Sequence, residues 1–402
     1  MDLNDTPELA EYRVKVRAWL SEHADEAPTL RGEGAIADEH EAAAAHRAWQ
    51  RNLASGGFAA ITWPAEYGGQ GLSPLHQVVL NQEIAAAGVP GIFDIIGVGM
   101  LGPTVIAHGS EEQKQRYLGP LLAGEEVWCQ LFSEPAAGSD LAGVQTRARQ
   151  DADGSWRVSG QKVWTTNAQY ASYGLLLTRT DSDKPKHQGL TMFIVPMQAE
   201  GVTIRPLRQV SGEAHFNEVF FDDVHLPAGS EVGPVDGGWG VALTTLMFER
   251  VAIGLGGEGF GWRSDRFAHA LIEHADDPDV RHGLGSIAAD FLALRFTGYR
   301  MLTALQRGSV PGPEGALAKV TTIAGAIKAG DLIVDTLGPD ALDGQWGDLV
   351  SNLPGLKSAG GTEEILRSMV GERVLGLPPE PRLDKGIPFS ELRAKEKEQV
   401  AS

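Results

Sequence analysis

Three short stretches carry the side chains that could do chemistry. The first spans residues 128–167. An apolar run, Trp128-Cys129-Gln130-Leu131-Phe132, breaks into Ser133-Glu134-Pro135-Ala136-Ala137-Gly138-Ser139-Asp140, and a second hydroxyl-bearing segment follows at Gly160-Gln161-Lys162-Val163-Trp164-Thr165-Thr166-Asn167. Ser133 and Thr166 can donate hydrogen bonds, Trp164 offers a flat apolar surface, and Gly138-Ser139 can turn main-chain N–H groups toward an anion. Such a set suits a planar ring with hydrogen-bonding edges, of the flavin type. The same residues serve equally well as two turns that close strands, because Gly-Ser-Asp turns are common.

The second stretch is Leu246-Met247-Phe248-Glu249-Arg250-Val251-Ala252-Ile253. A carboxylate inside an apolar helical run is costly to bury unless it is paired or used. Arg250 is adjacent, so it points about 100° away around the helix and is not automatically the partner. A desolvated glutamate has a raised pKa and can act as a general base near neutral pH; a place on the solvated face is the plain alternative. The third stretch is Ser358-Ala359-Gly360-Gly361-Thr362-Glu363-Glu364-Ile365. Thr362 is a natural N-cap and the two glutamates suit a first helical turn. Capping leaves the paired glycines unexplained; they let the chain turn sharply and leave room against a ligand.

The elements that must position these stretches follow from periodicity. Up to about residue 125 the pattern predicts helices over residues 7–20, 41–53 and 73–87, with another starting at Ser110 and stopping before Pro120. Strand-like runs at 156–160, 174–178, 190–195 and 218–221, punctuated by Gly, Asp and Pro, predict a small β-sandwich or barrel. Helices return at 239 to about 274, 280–307, 314–337 and 362–375, as a four-helix bundle. The Pro-rich tail from residue 378 reads as an extended arm with a frayed end. The fold class is therefore α+β: a helical N-terminal domain (1–125), a β-domain (126–236) and a C-terminal helical bundle with tail (237–402).

Composition removes whole classes of function. The 402 residues carry a formal net charge of −19 with no Lys/Arg block, which argues against nucleic-acid binding. No apolar run approaches the roughly 20 residues that span a bilayer, and the acidic start Met1-Asp2-Leu3-Asn4-Asp5 is no targeting signal; a cytoplasmic protein without membrane insertion is expected. The single cysteine, Cys129, excludes internal disulfides and Cys-rich metal sites, and reads as a small buried hydrophobe. His269 and His274 lack metal-ligand spacing, and no metal is expected. Nucleophile-elbow, zinc-protease and Walker motifs are absent.

Taken together, the motifs resemble the acyl-CoA dehydrogenase family over nearly the whole chain. The resemblance is carried by Ser133-Glu134-Pro135-Ala136-Ala137-Gly138-Ser139-Asp140-Leu141, by Gly160-Gln161-Lys162-Val163-Trp164-Thr165-Thr166-Asn167-Ala168, and by Phe221-Asp222-Asp223-Val224-His225-Leu226-Pro227. Gly360-Gly361-Thr362-Glu363-Glu364-Ile365 and the upstream Trp63-Pro64-x-x-Tyr67-Gly68-Gly69 add to it. It implies the architecture just read, non-covalent FAD, and α,β-desaturation of an acyl-CoA thioester by α-proton abstraction with β-hydride transfer to flavin N5. An electron-transfer flavoprotein is the implied acceptor. Implied FAD contacts are Gln130, Leu131, Phe132, Ser133, Gly138, Ser139, Trp164, Thr165, Thr166, Thr362 and Glu364; implied substrate contacts are Ser139, Phe248, Arg250 and Gly361.

Three departures from the family pattern matter. Where many members carry the base, immediately before the Gly-Thr pair, this chain has Gly360. Other members carry it on the first long bundle helix just before an arginine, and Glu249-Arg250 matches them, so Glu249 is the candidate base. The usual Arg-x-x-Phe-Gly segment is replaced by Ala275-Asp276-Asp277-Pro278-Asp279-Val280-Arg281, and the usual Gln-x-x-Gly-Gly by Asp335-Thr336-Leu337-Gly338-Pro339; both bear on FAD contacts across subunits. The departures resemble members acting on bulky thioesters, including sterol side chains, some of them unlike-subunit pairs. A homodimer, a homotetramer or a heterotetramer with a homologous subunit is expected. Two other readings are a non-catalytic or FAD-poor partner subunit, and a flavin oxidase or monooxygenase on the same fold.

Overall fold

The structure, a computed structural model, describes residues 5–30, 34–255, 269–306, 315–342 and 344–401. The chain begins with α1 (Pro7–His23), where Thr6 accepts the Leu9 N–H and Leu9, Tyr12, Val16 and Leu20 turn inward at helical spacing. α2 (Glu39–Ser55), capped by Asp38, and α3 (Pro74–Ala87) follow. Between α2 and α3, Trp63 is buried and its Nε1–H donates to Val98 O at 3.2 Å; a side chain at Gly69 would collide with the Trp63 carbonyl. A π-turn at Gly97–Leu101 and α4 (Gly102–His108) come next, in a Gly-rich apolar stretch that carries no clear helix signal. α5 (Glu111–Leu122) opens on a capping box between Ser110 and Gln113. It runs through Pro120 instead of ending before it, because buried Leu118, Leu121 and Leu122 hold the last turn against the lost hydrogen bond.

Asp94 ties this helical unit to the strands. Its carboxylate accepts the Gly97 and Trp128 N–H groups, both at 2.7 Å. Burial pushes the carboxyl up to about 7 against those donors. An ordinary aspartate titrates near ~3.9, so between these values the folded chain holds a proton that the unfolded chain has lost. The stability this group contributes is fullest below about pH 4 and shrinks as pH rises to about 7. Asp94→Asn should flatten that slope in denaturant titrations across the range; an unchanged slope would place its source elsewhere.

Eight strands form the middle unit: β1 (Trp128–Leu131), β2 (Arg147–Gln150), β3 (Trp156–Thr166), β4 (Tyr173–Arg179), β5 (Leu190–Pro196), β6 (Val202–Leu207), β7 (Phe216–Leu226) and β8 (Glu231–Val232). Their order is β6-β7-β3-β2-β4-β5-β8, with β1 parallel to β4. β2 meets β4 through one pair, Arg147 opposite Arg179, and the sheet folds there into two halves. Trp156 and Phe193 meet across the enclosed core with ring centroids 5.0 Å apart. Leu176, Phe193 and Val195 face that core, whereas Leu175, Leu177, Met192 and Ile194 face a second core shared with the N-terminal helices. Burial on both faces is why β4 and β5 read as unbroken apolar runs. β2 and β6 escaped the sequence reading because they are short and much of their surface is open, with β2 polar apart from Ala148 and the β6 run interrupted by Arg205 and Pro206.

α6 (Gly238–Leu255) starts the second helical unit. The single helix expected from 239 to about 274 runs through residues 256–268, outside the described residues. α7 (Pro278–Gln306), α8 (Ala316–Leu337), α9 (Gly344–Asn352) and α10 (Glu363–Arg373) follow, α9 being an addition to the expected set. α7 and α8 share a core through Ile287, Ala326, Ala329 and Ile333, and α8 meets α10 through Ala316, Val320 and Leu366. Among the described residues, no helix is long and apolar enough to cross a membrane.

The tail corrects the expectation of an extended arm. It ends in α11 (Phe389–Ala401), whose start is pinned to the β-unit. Phe389 is buried with the Arg179 guanidinium 4.0 Å from its ring centroid. Phe389 N–H donates to Lys184 O at 3.0 Å and Ser390 N–H to Ser182 O at 2.9 Å. Lys186 bridges Asp384 of the tail (2.5 Å) and Asp140 (2.8 Å). This seat lies two hundred residues away in sequence, roughly, and a local pattern cannot report it.

Candidate active site

β1 and β3 bring the two hydroxyl-bearing segments together. Val163 N–H donates to Ser133 O at 2.9 Å. Beneath them Lys162, fully buried, donates to Phe132 O at 2.9 Å and to the Glu134 carboxylate at 2.8 Å. Glu134 also accepts the Gln145 N–H (2.7 Å) and the Thr146 N–H (2.9 Å). Burial would raise the Glu134 carboxyl, but the Lys162 charge and these donors outweigh it and hold it below its ordinary value. Burial draws Lys162 down to about 8 against the pull of Glu134. The pair is ionised at neutral pH, and it clamps the main chain on both sides of Ser133.

A bulge then presents the ring surface. From Lys162 to Thr165 β3 advances three residues while β7 advances two, Val219 to Asn217. Trp164 takes a φ of 60° and its indole stands 60% exposed. Thr165 beneath it is sealed, its hydroxyl without a hydrogen-bond partner among the described residues. Thr166 is half-buried, and Gly138 and Ser139 lie open on the neighbouring loop. An exposed indole, with half-buried Ser133 and Thr166 on the two joined segments, suits the flavin ring implied by the motifs. Leu131 and Phe132 are sealed in the cores and Gln130 is half-buried, so with Thr165 they back the surface and leave little of themselves on it.

The candidate base comes from α6. Asp236, just before this helix, accepts from Thr180 Oγ1 (2.6 Å) and Lys184 Nζ (2.7 Å) and so seats it on β4 and β5. Thr104 on α4 donates to Thr245 at 3.1 Å. Thr245 is fully buried; Glu249, four residues on, shares its face and is half-buried where the sealed stretch opens. Phe248 is also half-buried; the Arg250 side chain lies outside the described residues.

Glu249 lies within electrostatic reach of Lys319 on α8. Lys319 Nζ donates to Ala359 O and, at 2.5 Å, to Gly361 O. Lys319 therefore ties α8 to the Gly360-Gly361 turn, with the α6 carboxylate of Glu249 within electrostatic reach. Gly360 and Gly361 have φ of 62° and 93°, left-handed conformations that glycine alone adopts freely, which accounts for the pair. Thr362 caps α10 by accepting the Ile365 N–H at 3.3 Å, and Glu364 is exposed in the first turn. Among the described residues, no hydrogen bond joins Thr362 or Glu364 to the Trp164 surface. Arg281 turns back on its own segment, donating to Ala275 O at 3.0 Å.

Three functional candidates were missed in the sequence: Glu134, Lys162 and Lys319. The signals were there. Lys162 falls on the inward parity of β3 with Trp156 and Val158, and Lys319 falls on the apolar stripe of α8 with Ala316, Val320 and Ile323. A cation at an inward position marks a buried charge that needs a partner.

Comparison with known proteins now places the chain. Family models match in chain order: "Acyl-CoA dehydrogenase, N-terminal domain" over residues 6–125, "middle domain" over 129–224 and "C-terminal domain" over 236–375. The acyl-CoA dehydrogenase IpdE1 of Mycobacterium tuberculosis is 37% identical over 391 residues, covering 93% of this chain and 99% of its own. FadE34 of the same organism, also an acyl-CoA dehydrogenase, is 38% identical over 364 residues, 90% of this chain and 51% of its own. Among solved structures, "Tcur3481-Tcur3483 steroid ACAD" matches with a TM-score of 0.78 at 30% identity, over 94% of this chain and 100% of that one. The ChsE4-ChsE5 complex from Mycobacterium tuberculosis matches with a TM-score of 0.78 at 29% identity and the same coverage. With its three units matched in order and relatives aligned end to end, the chain belongs to the acyl-CoA dehydrogenase family and is an oxidoreductase acting on acyl-CoA.

Proposed function

We propose that this chain is an FAD-dependent dehydrogenase that introduces an α,β double bond into an acyl-CoA thioester, with Glu249 as the base. The observation that carries the reading is that Lys319, which holds the Gly360-Gly361 turn, lies within electrostatic reach of Glu249. The turn has no base of its own, and Glu249 offers a half-buried carboxylate within electrostatic reach of the lysine that holds the turn. Bound FAD would supply the hydride acceptor. Ser133, Gly138, Ser139, Trp164 and Thr166 would hold its ring region, with Gln130, Leu131, Phe132 and Thr165 behind them and Thr362 and Glu364 at the start of α10. Ser139, Phe248, Arg250 and Gly361 would line the thioester pocket. Polarising the thioester carbonyl lowers the cost of taking the α-proton, and donors fixed on a rigid turn do this without reorganising.

The likeness to a structure named as a steroid ACAD supports a bulky, ring-bearing acyl group as the substrate class. Apolar side chains left open on the bundle, Leu292, Phe296 and Leu377 among them, support assembly with a like or homologous subunit. An electron-transfer flavoprotein completes the proposal as acceptor. The test is anaerobic bleaching of the yellow protein by short, long, branched and sterol-type acyl-CoA thioesters. Bleaching strongest with the sterol type is the expected result. Peroxide released in step with substrate would make the protein an oxidase, and a colourless protein indifferent to added FAD would make it a non-catalytic partner.

A further inference from the structure

Lys319, half-buried, stands on the face of α8 that carries buried Ala316, Val320 and Ile323, and nothing in helix packing asks for an ammonium there. Its Nζ donates to Ala359 O and, at 2.5 Å, to Gly361 O. Burial brings it down to about 8, and the Glu249 carboxylate pulls it the other way. A lysine that only capped carbonyls at a helix end could stay in water. One drawn from water gains from an anion in reach.

The tie also sets the direction of two amides. A trans peptide points its C=O and N–H in opposite directions. Holding the Ala359 and Gly361 oxygens toward α8 therefore turns the Gly360 and Thr362 N–H groups away from it. The φ angles of 62° and 93° at Gly360 and Gly361 are what allow both oxygens to reach one ammonium. We propose that Lys319 is a positioning residue of the active site, which fixes the Gly360-Gly361 turn and sets an ammonium within electrostatic reach of the Glu249 carboxylate. The inference rests on Glu249 being the base.

Four variants of the FAD-loaded enzyme test it: Lys319→Met, Lys319→Gln, Lys319→Arg, and Lys319→Met combined with Glu249→Gln. Flavin bleaching by a substrate thioester and hydrogen exchange at the amides of residues 359–362 are the readouts. Lys319→Met should bleach about 10- to 100-fold more slowly and exchange faster across the turn. Lys319→Gln keeps donors without charge, so it should protect the turn yet still bleach slowly; it also serves if the methionine variant does not fold. Lys319→Arg should restore most of the rate. In the Glu249→Gln background, removing Lys319 should add little, because the residue it acts through is gone. An equal loss in both backgrounds, or parental bleaching by Lys319→Met and Lys319→Gln, overturns the proposal while Glu249 stays the base. Near-parental bleaching by Glu249→Gln alone overturns the base assignment and the coupling with it.

Discussion

Glu249→Gln should leave the protein folded and yellow yet slow its bleaching by an acyl-CoA at least about a thousandfold, or ~4 kcal/mol of barrier. Glutamine keeps the size and polarity of the side chain but cannot take up the α-proton. FAD content should be unchanged, because the residues proposed for the ring region stand on β3 and the loop after β1, away from α6. The measurement is stopped-flow absorbance of the anaerobic enzyme with saturating thioester. A rate within about tenfold of the parent would remove Glu249 from the chemistry. Gly360 offers no carboxylate to take over, so the residual rate reports what positioning alone achieves.

Lys162→Met should be the most damaging change outside α6. It leaves Glu134 charged and buried without its cation, and leaves the Phe132 carbonyl without its 2.9 Å donor. Breaking a buried pair from one side costs about 3–5 kcal/mol, a large part of a folding stability of about 5–15 kcal/mol. The loss should appear as a lower midpoint in urea and as reduced FAD content, since the pair clamps the chain on either side of Ser133. Adding Glu134→Gln to Lys162→Met should recover part of the stability by removing the stranded charge. A single variant as stable as the parent, with full FAD, would show that the pair does not set the Ser133 turn.

Much of this protein was legible in its residues, for identifiable reasons. The period change from helix to strand and back located the three units, because burial of one face imposes 3.6 on helices and 2 on strands. Ser110 and Thr362 marked helix starts because a cap is a local contact between residues two or three apart. Pro120 misled for the converse reason. Its local cost is real, but Leu121 and Leu122 are buried against the rest of the chain, and the local rule cannot see them. The tail misled likewise: its composition reads as an arm, and its seat is the loop holding Lys184 and Lys186.

The same division runs through the site. Sequence by itself determined which residue types could serve: the hydroxyls of Ser133 and Thr166, the indole of Trp164, the carboxylate of Glu249 and the paired glycines. It also showed that Gly360 cannot be a base. Tertiary structure alone decided that a bulge lifts Trp164 outward while sealing Thr165, that Lys162 and Glu134 lie together beneath Ser133, and that Lys319 holds the glycine turn within electrostatic reach of Glu249. The physical reason is distance along the chain. Caps, turns and periodicity are set by neighbours within a few residues, whereas a buried charge takes its meaning from whichever distant group the fold brings to it.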